Sequence, residues 1–189
     1  MGLARTVIFI PVVTSLVVAA VLWAMMYNKD QGLIQSMLEV VGIPHTAFIS
    51  SPTLALPAIV VMMVWKEVGF SMIIFVAGLK NIPAMFYEAA AIDGAGRVRQ
   101  FLAITLPLLK PVTLFVVVTQ TISALQVFIP VYVMTQGGPF YRSELLTTYI
   151  YKLAFQLQDH GRAAALCVVL SLMAIAITVG FNRWRERVR

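Results

Sequence analysis

The sequence predicts an all-α protein that crosses a membrane several times, on three observations. Hydrophobic residues fill 60% of its 189 positions and charged residues only 12%, against about a quarter charged in a soluble domain. Residues 7–26, 53–79, 112–134 and 163–181 are apolar over lengths that suit a bilayer, which takes roughly 20 residues at about 1.5 Å each. Basic residues are unevenly shared among the connections: nine (Arg5, Lys80, Arg97, Arg99, Lys110, Arg183, Arg185, Arg187 and Arg189) lie at the N-terminus, in the middle loop and in the tail, against four (Lys29, Arg142, Lys152 and Arg162) in the other two loops. Lys and Arg beside a span stay preferentially in the cytoplasm, so both termini and the middle loop are expected there. The net charge of +6 follows from that topology and from anionic lipid at the inner face, and needs no nucleic acid to explain it. The tail arginines read as an anchor on that lipid surface.

Taken in order, the first stretch is longer than the ~7 to 15 residue apolar core of a signal peptide, lacks a small-x-small cleavage site and is followed by three more; it reads as a retained helix. The second, 27 residues long, holds Lys66 and Glu67 near its middle, where ionisable groups are costly and face protein or water. Adjacent residues diverge by ~100° around a helix, so the two cannot simply neutralise each other. A path-lining role, an ion pair with a partner subunit and displacement toward an interface by tilt all stay open for them. In the third, Thr119, Ser123 and Gln126 recur at i, i+4 and i+7 with Gln120 beside them. Such a polar stripe either lines a path for a polyol or hydrogen-bonds one helix to another.

The fourth stretch contains Cys167, the one cysteine, which excludes a disulfide framework or a CxxC metal site. His45 and His160 stand singly in the outer loops with no second ligand at metal spacing, and read as solvated. Aromatics and Gly-Pro punctuation in those loops suit short interfacial helices, and "QGGP" at Gln136 to Pro139 reads as the turn that stops the third helix. A single membrane domain, residues 1–189, accounts for the chain.

The segment from Glu88 to Pro111, "EAAAIDGAGRVRQFLAITLPLLKP", carries five charges and two glycines between two apolar stretches. Residues 84–93 have good helix formers with Met85, Ala89 and Ile92 on one face, and predict a short helix with Glu88 near its start. Asp93-Gly94 supplies the residue able to turn left-handed where that helix must stop. Helical periodicity restarts at Arg97, with Val98, Phe101, Leu102 and Thr105 on one face, and Pro107 and Pro111 are expected to mark the start of the third span. The small side chains of Ala89, Ala90 and Ala91 let another protein approach the backbone closely.

The string Glu88-Ala89-Ala90-Ala91-Ile92-Asp93-Gly94-Ala95, followed by Phe101, Ile104, Leu106-Pro107 and Pro111, resembles the EAA loop of permease subunits of binding-protein-dependent ABC importers, the MetI-like family. Residues 11–23, "GLKNIPAMFYEAA" (78–90), "VFIPVYVMTQGGP" (127–139) and "YIYKLAF" (149–155) are similar to its sugar branch. The resemblance implies a helical permease core with a cytoplasmic coupling helix that inserts into a cleft of an ATPase subunit. Glu88 would then lie near the ATPase surface and Gly94 would allow the bend. It also implies a second homologous permease, two ATPase copies, an extracytoplasmic sugar-binding protein and a prokaryotic inner membrane. The chain resembles the last four of the family's usual six spans, so about 90 to 110 upstream residues holding two spans of roughly 20 residues each are expected.

Other function classes find little support. No HExxH, GxSxG or paired intramembrane aspartates provide enzyme chemistry, and no GxxxxGK[ST] provides an ATP site. No cofactor is expected in this chain, and ATP with Mg²⁺ belongs to the partner ATPase. The competing reading is a non-transporting membrane scaffold derived from such a permease.

Overall fold

The computed structural model describes residues 2–42 and 46–187; His45 and Arg189 lie outside the described residues. The fold is all-helical: α1 (Gly2–Val13), α2 (Leu16–Met26), α3 (Leu33–Val40), α4 (Ala55–Lys80), α5 (Ala84–Ile92), α6 (Arg97–Gln100), α7 (Leu106–Leu125), α8 (Ile129–Met134), α9 (Leu146–Tyr151) and α10 (His160–Arg187). Among the described residues three helical segments are long and apolar enough to span a bilayer, with α1 and α2 adding a fourth if that pair is one broken span. Their outward side chains are apolar, as lipid requires: Phe115, Val117, Leu172 and Ile175 are all exposed.

The expected helix over residues 7–26 is two helices. α1 and α2 meet at 105° across Thr14 and Ser15. Pro11 sits near the end of α1, and the Thr14 hydroxyl donates to the Pro11 carbonyl at 2.6 Å, which closes the last turn locally. The break is then fixed by α4. Lys66 donates through Nζ to the Val12 carbonyl at 2.9 Å, supplying a cation where the α1 dipole is negative and its last carbonyls lack partners. One turn further along α4, a Cβ on Gly69 would lie 2.4 Å from the Ile8 carbonyl oxygen, so only glycine lets α1 cross this closely.

The core lies where α2, α4 and α8 converge, around Ala19, Ala20, Ile59, Met62, Val131 and Met134. Ala19 and Ala20 bring α2 close, while Trp23 packs at 5.5 Å between ring centroids on Trp65 and at 5.4 Å on Tyr27. The Tyr27 hydroxyl donates to the Ala58 carbonyl at 3.2 Å.

The second and fourth spans agree closely with α4 and α10, whereas the third does not match residues 112–134. The helix starts at Arg97 and runs to Leu125, so Pro107 and Pro111 lie inside it rather than at its start. A π-helical turn, Phe101–Thr105, precedes Pro107 and shifts the backbone register, with the Leu106 amide donating to the Phe101 carbonyl. The wider turn gives the first proline ring room it would lack in a regular helix. At the other end the chain breaks at Gln126–Phe128 and restarts as α8, with Pro130 in its first turn. "QGGP" therefore stops α8, using positive φ at Gln136 (51°) and Gly137 (84°). His160, at the start of α10, is exposed, as is Cys167.

Candidate functional site

Two features built on α4 and α7 stand out, an elbow at one end and a groove toward the other. The elbow begins at Pro83, whose extended backbone starts α5 after the Asn81 cap of α4. It ends in a Schellman motif: the Ala95 amide donates to the Ala90 carbonyl at 2.8 Å and the Gly94 amide to the Ala91 carbonyl at 3.1 Å, with Gly94 at φ +73°. Gly96 then caps α6, and the Gln100 side-chain amide ties back to the Ala95 carbonyl at 2.9 Å. A hydrogen bond of 2.8 Å between the Tyr87 hydroxyl and Thr105 Oγ1 closes the elbow by joining α5 to the π turn. Neither Tyr87 nor Gln100 stands out in the sequence.

α5 buries none of its residues. Ile92 is 88% exposed and Val98 74%, with Met85, Phe101 and Leu102 also open. Glu88, Ala89, Ala91, Asp93, Gly94 and Pro107 are exposed, and Ala90 and Ala95 half-buried. Glu88 lies in the second turn of α5, not the first, so the favourable N-terminal dipole does not explain it. It has no ion-pair or hydrogen-bond partner among the described residues. The elbow is thus a shape closed by its own hydrogen bonds, with an exposed surface of apolar side chains and of Glu88, Asp93, Arg97 and Arg99.

The groove, about 510 Å³ in volume, runs between α4 and α7, within the range that takes small-molecule ligands. Its polar lining is Glu67 and Ser71 from α4 and Gln120 and Ser123 from α7, among Met63 and Val64. Gln120 Nε2 donates to Ser71 Oγ at 2.9 Å, linking the two helices across it. Other candidates lie elsewhere. Thr119 is turned back on the Phe115 and Val116 carbonyls at 2.9 and 3.0 Å, Gln126 caps the end of α7 without lining the groove, and Lys66 is buried against α1. The stripe over Thr119, Ser123 and Gln126 therefore splits, because the helix ends at Leu125 before its third member. Ser71 is a lining residue that the sequence reading passed over. Gly78 packs α4 against α7 at the elbow end, its position for a Cβ lying 2.8 Å from a Val112 methyl.

An exposed two-helix elbow fused to the helices that wall a polar groove invites comparison with transport proteins. The family described as "Binding-protein-dependent transport system inner membrane component" matches residues 1–188. The chain belongs to this family. Among its relatives, the trehalose/maltose transport system permease protein MalF of Thermococcus litoralis is 38% identical over 181 residues, 94% of this chain and 60% of that protein. The lactose transport system permease protein LacF of Rhizobium radiobacter is 38% identical over 192 residues, 98% of this chain and 64% of LacF. A crystal structure of a bacterial alginate ABC transporter, in complex with an alginate pentasaccharide-bound periplasmic protein, superposes with a TM-score of 0.89 at 26% identity. That match covers 98% of this chain and 65% of the other. The chain thus spans about three fifths of the length of the relatives it matches. It is a helical membrane protein of this family, and these relatives are themselves permease subunits.

Proposed function

We propose that this chain is the membrane core of an importer for a sugar or related polyol, with α5 as its coupling helix. It would work with a second permease, two cytoplasmic ATPase copies and an extracytoplasmic binding protein. The observation that carries this reading is the elbow: a preformed helix with an exposed apolar and acidic face, joined directly to the two helices that wall the groove. ATP and Mg²⁺ belong to the ATPase, which would grip α5 through the Glu88 to Ala95 face.

The connectivity supplies the mechanism. α4 runs into α5 through three residues, Asn81 to Pro83, and α6 continues without interruption into α7. Displacing the elbow therefore turns both walls of the groove, whose nearest α4 residue, Ser71, lies nine positions from Lys80, about 14 Å along the helix. Closure of the ATPase pair moves the elbow, and the groove changes which side of the membrane it opens to. The elbow must bind the two ATPase states with different affinity, because equal affinity shifts no equilibrium.

This reading puts both termini and the elbow in the cytoplasm, from the bias of basic residues, and Ile92→Cys in a Cys167→Ser background tests it at the elbow. An impermeant thiol reagent is expected to label it in inverted vesicles and not in intact cells, and co-expressed ATPase should shield it. Ready labelling from outside intact cells would overturn the topology. Labelling unchanged by the ATPase would overturn the docking.

A further inference from the structure

We infer that the α4–α7 groove selects by charge, with Glu67 making it a path for neutral polyhydroxylated solutes and a barrier to anionic ones such as uronates or sulfonated sugars. This rests on the reading of the groove as the substrate path, and deepens it.

Among the described residues, Glu67 is the one formally charged residue in the lining. Its sequence neighbour Lys66 is the obvious candidate to neutralise it, but that side chain is buried against α1, outside the groove lining, and its ammonium donates to the Val12 carbonyl at 2.9 Å. The demand of the α1–α2 break for a cation thus leaves the carboxylate uncompensated. Glu67 has neither an ion pair nor a hydrogen bond among the described residues. The walls beside it are apolar, at Val60, Met63, Val64 and Val68, so its field is screened less than at an open surface.

Hydrogen-bond chemistry points the same way. A carboxylate only accepts, and one of the two N–H donors of Gln120 is already spent on Ser71. The Glu67 carboxylate therefore suits the many O–H donors of a polyol, whose oxygens can in turn accept from the Ser71 and Ser123 hydroxyls. An anionic group brings acceptors alone, cannot donate to that carboxylate and meets its repulsion.

The full chain in membrane vesicles, in a Cys167→Ser background, allows a direct test with Ser123→Cys as reporter. Cationic, anionic and neutral methanethiosulfonates are applied, and each rate is divided by that on a free thiol in solution. With Glu67 present the cationic reagent should be favoured by about tenfold over the anionic one, the scale of a single nearby charge in a partly shielded site. Glu67→Gln should bring that ratio close to one, and Glu67→Lys should invert it. An unchanged rate with the neutral reagent would show that the groove is still formed. A ratio near one with Glu67 in place, or one that Glu67→Gln leaves unchanged, would overturn the inference. So would failure of all three reagents to reach the reporter. The expected ratios in a chain that supports no sugar uptake in cells would uphold the charge filter and sink the sugar reading.

Discussion

The chain turns sharply between helices at two places by opposite means. At the elbow, the bend between α5 and α6 is made by the segment itself. Gly94 takes φ +73°, the Ala90 and Ala91 carbonyls are satisfied within six residues, and a Cβ at position 94 would meet nothing within 4 Å. At the break between α1 and α2 no residue has positive φ, and the angle is held from outside, by the ammonium of Lys66 and the missing side chain of Gly69. A bend made locally leaves its outer surface free for a partner, whereas one imposed by a neighbouring helix is structural. The two should respond differently to substitution.

Gly69→Val should have the largest effect on folding. Two methyl branches would be driven into the α1 backbone, so α1 must leave α4, at a cost of about 3 kcal/mol or more by comparison with overpacked cores. Yield and thermal unfolding of the purified chain should both fall sharply, and normal values would mean that the α1–α4 crossing is loose.

Lys66→Ala sharpens the same contrast. It leaves the Val12 carbonyl without its donor at the end of α1, at a cost of about 1 to 3 kcal/mol. Thermal unfolding in lipid nanodiscs measures the loss, and cysteine pairs across the bend should report a wider spread of α1–α2 angles. An unchanged midpoint would place the break under local control after all.

Tyr87→Phe, at the elbow, removes one half-buried hydrogen bond and should cost only about 0.5 to 1.5 kcal/mol. Its main expected consequence is a partial loss of transport with normal membrane insertion, because α5 would hinge against the π turn. Full uptake would show that the Schellman turn alone sets the elbow's shape.

The same contrast explains what the sequence disclosed. Asp93-Gly94 after an alanine-rich run is a local signal, so the bend between α5 and α6 is legible from a few residues. The broken first span is not, because 20 apolar residues read as one helix by length, and the groups that impose the break lie more than 50 positions away at Lys66 and Gly69. In the third span, prolines are boundary markers only if the helix is regular. The π turn at Phe101–Thr105 removes that constraint from Pro107, and Pro130 was the better marker because a new helix begins beside it. The polar lining was half legible: Ser123, Gln120 and Glu67 stand in the groove, while the side chains of Thr119 and Lys66 donate to backbone carbonyls and Gln126 lies past the end of α7. Helical spacing alone cannot separate these groups, since which face meets the groove depends on where α4 crosses α7.

That the elbow is a coupling device is the central claim, and uptake measured together with ATPase recovery tests it most directly. Gly94→Val strains the positive-φ turn by roughly 1 to 2 kcal/mol and swings the Ala89 to Ala91 face out of line, whereas Glu88→Lys keeps the bend and reverses the charge presented. Both variants should insert normally, since α5 contributes nothing to the buried core. Gly94→Val should abolish sugar uptake and lower the ATPase recovered with the purified permease, and Glu88→Lys should impair uptake more than Glu88→Gln. Wild-type uptake and wild-type ATPase recovery in both Gly94→Val and Glu88→Lys would contradict the claim and leave residues 84–100 an ordinary connection between spans.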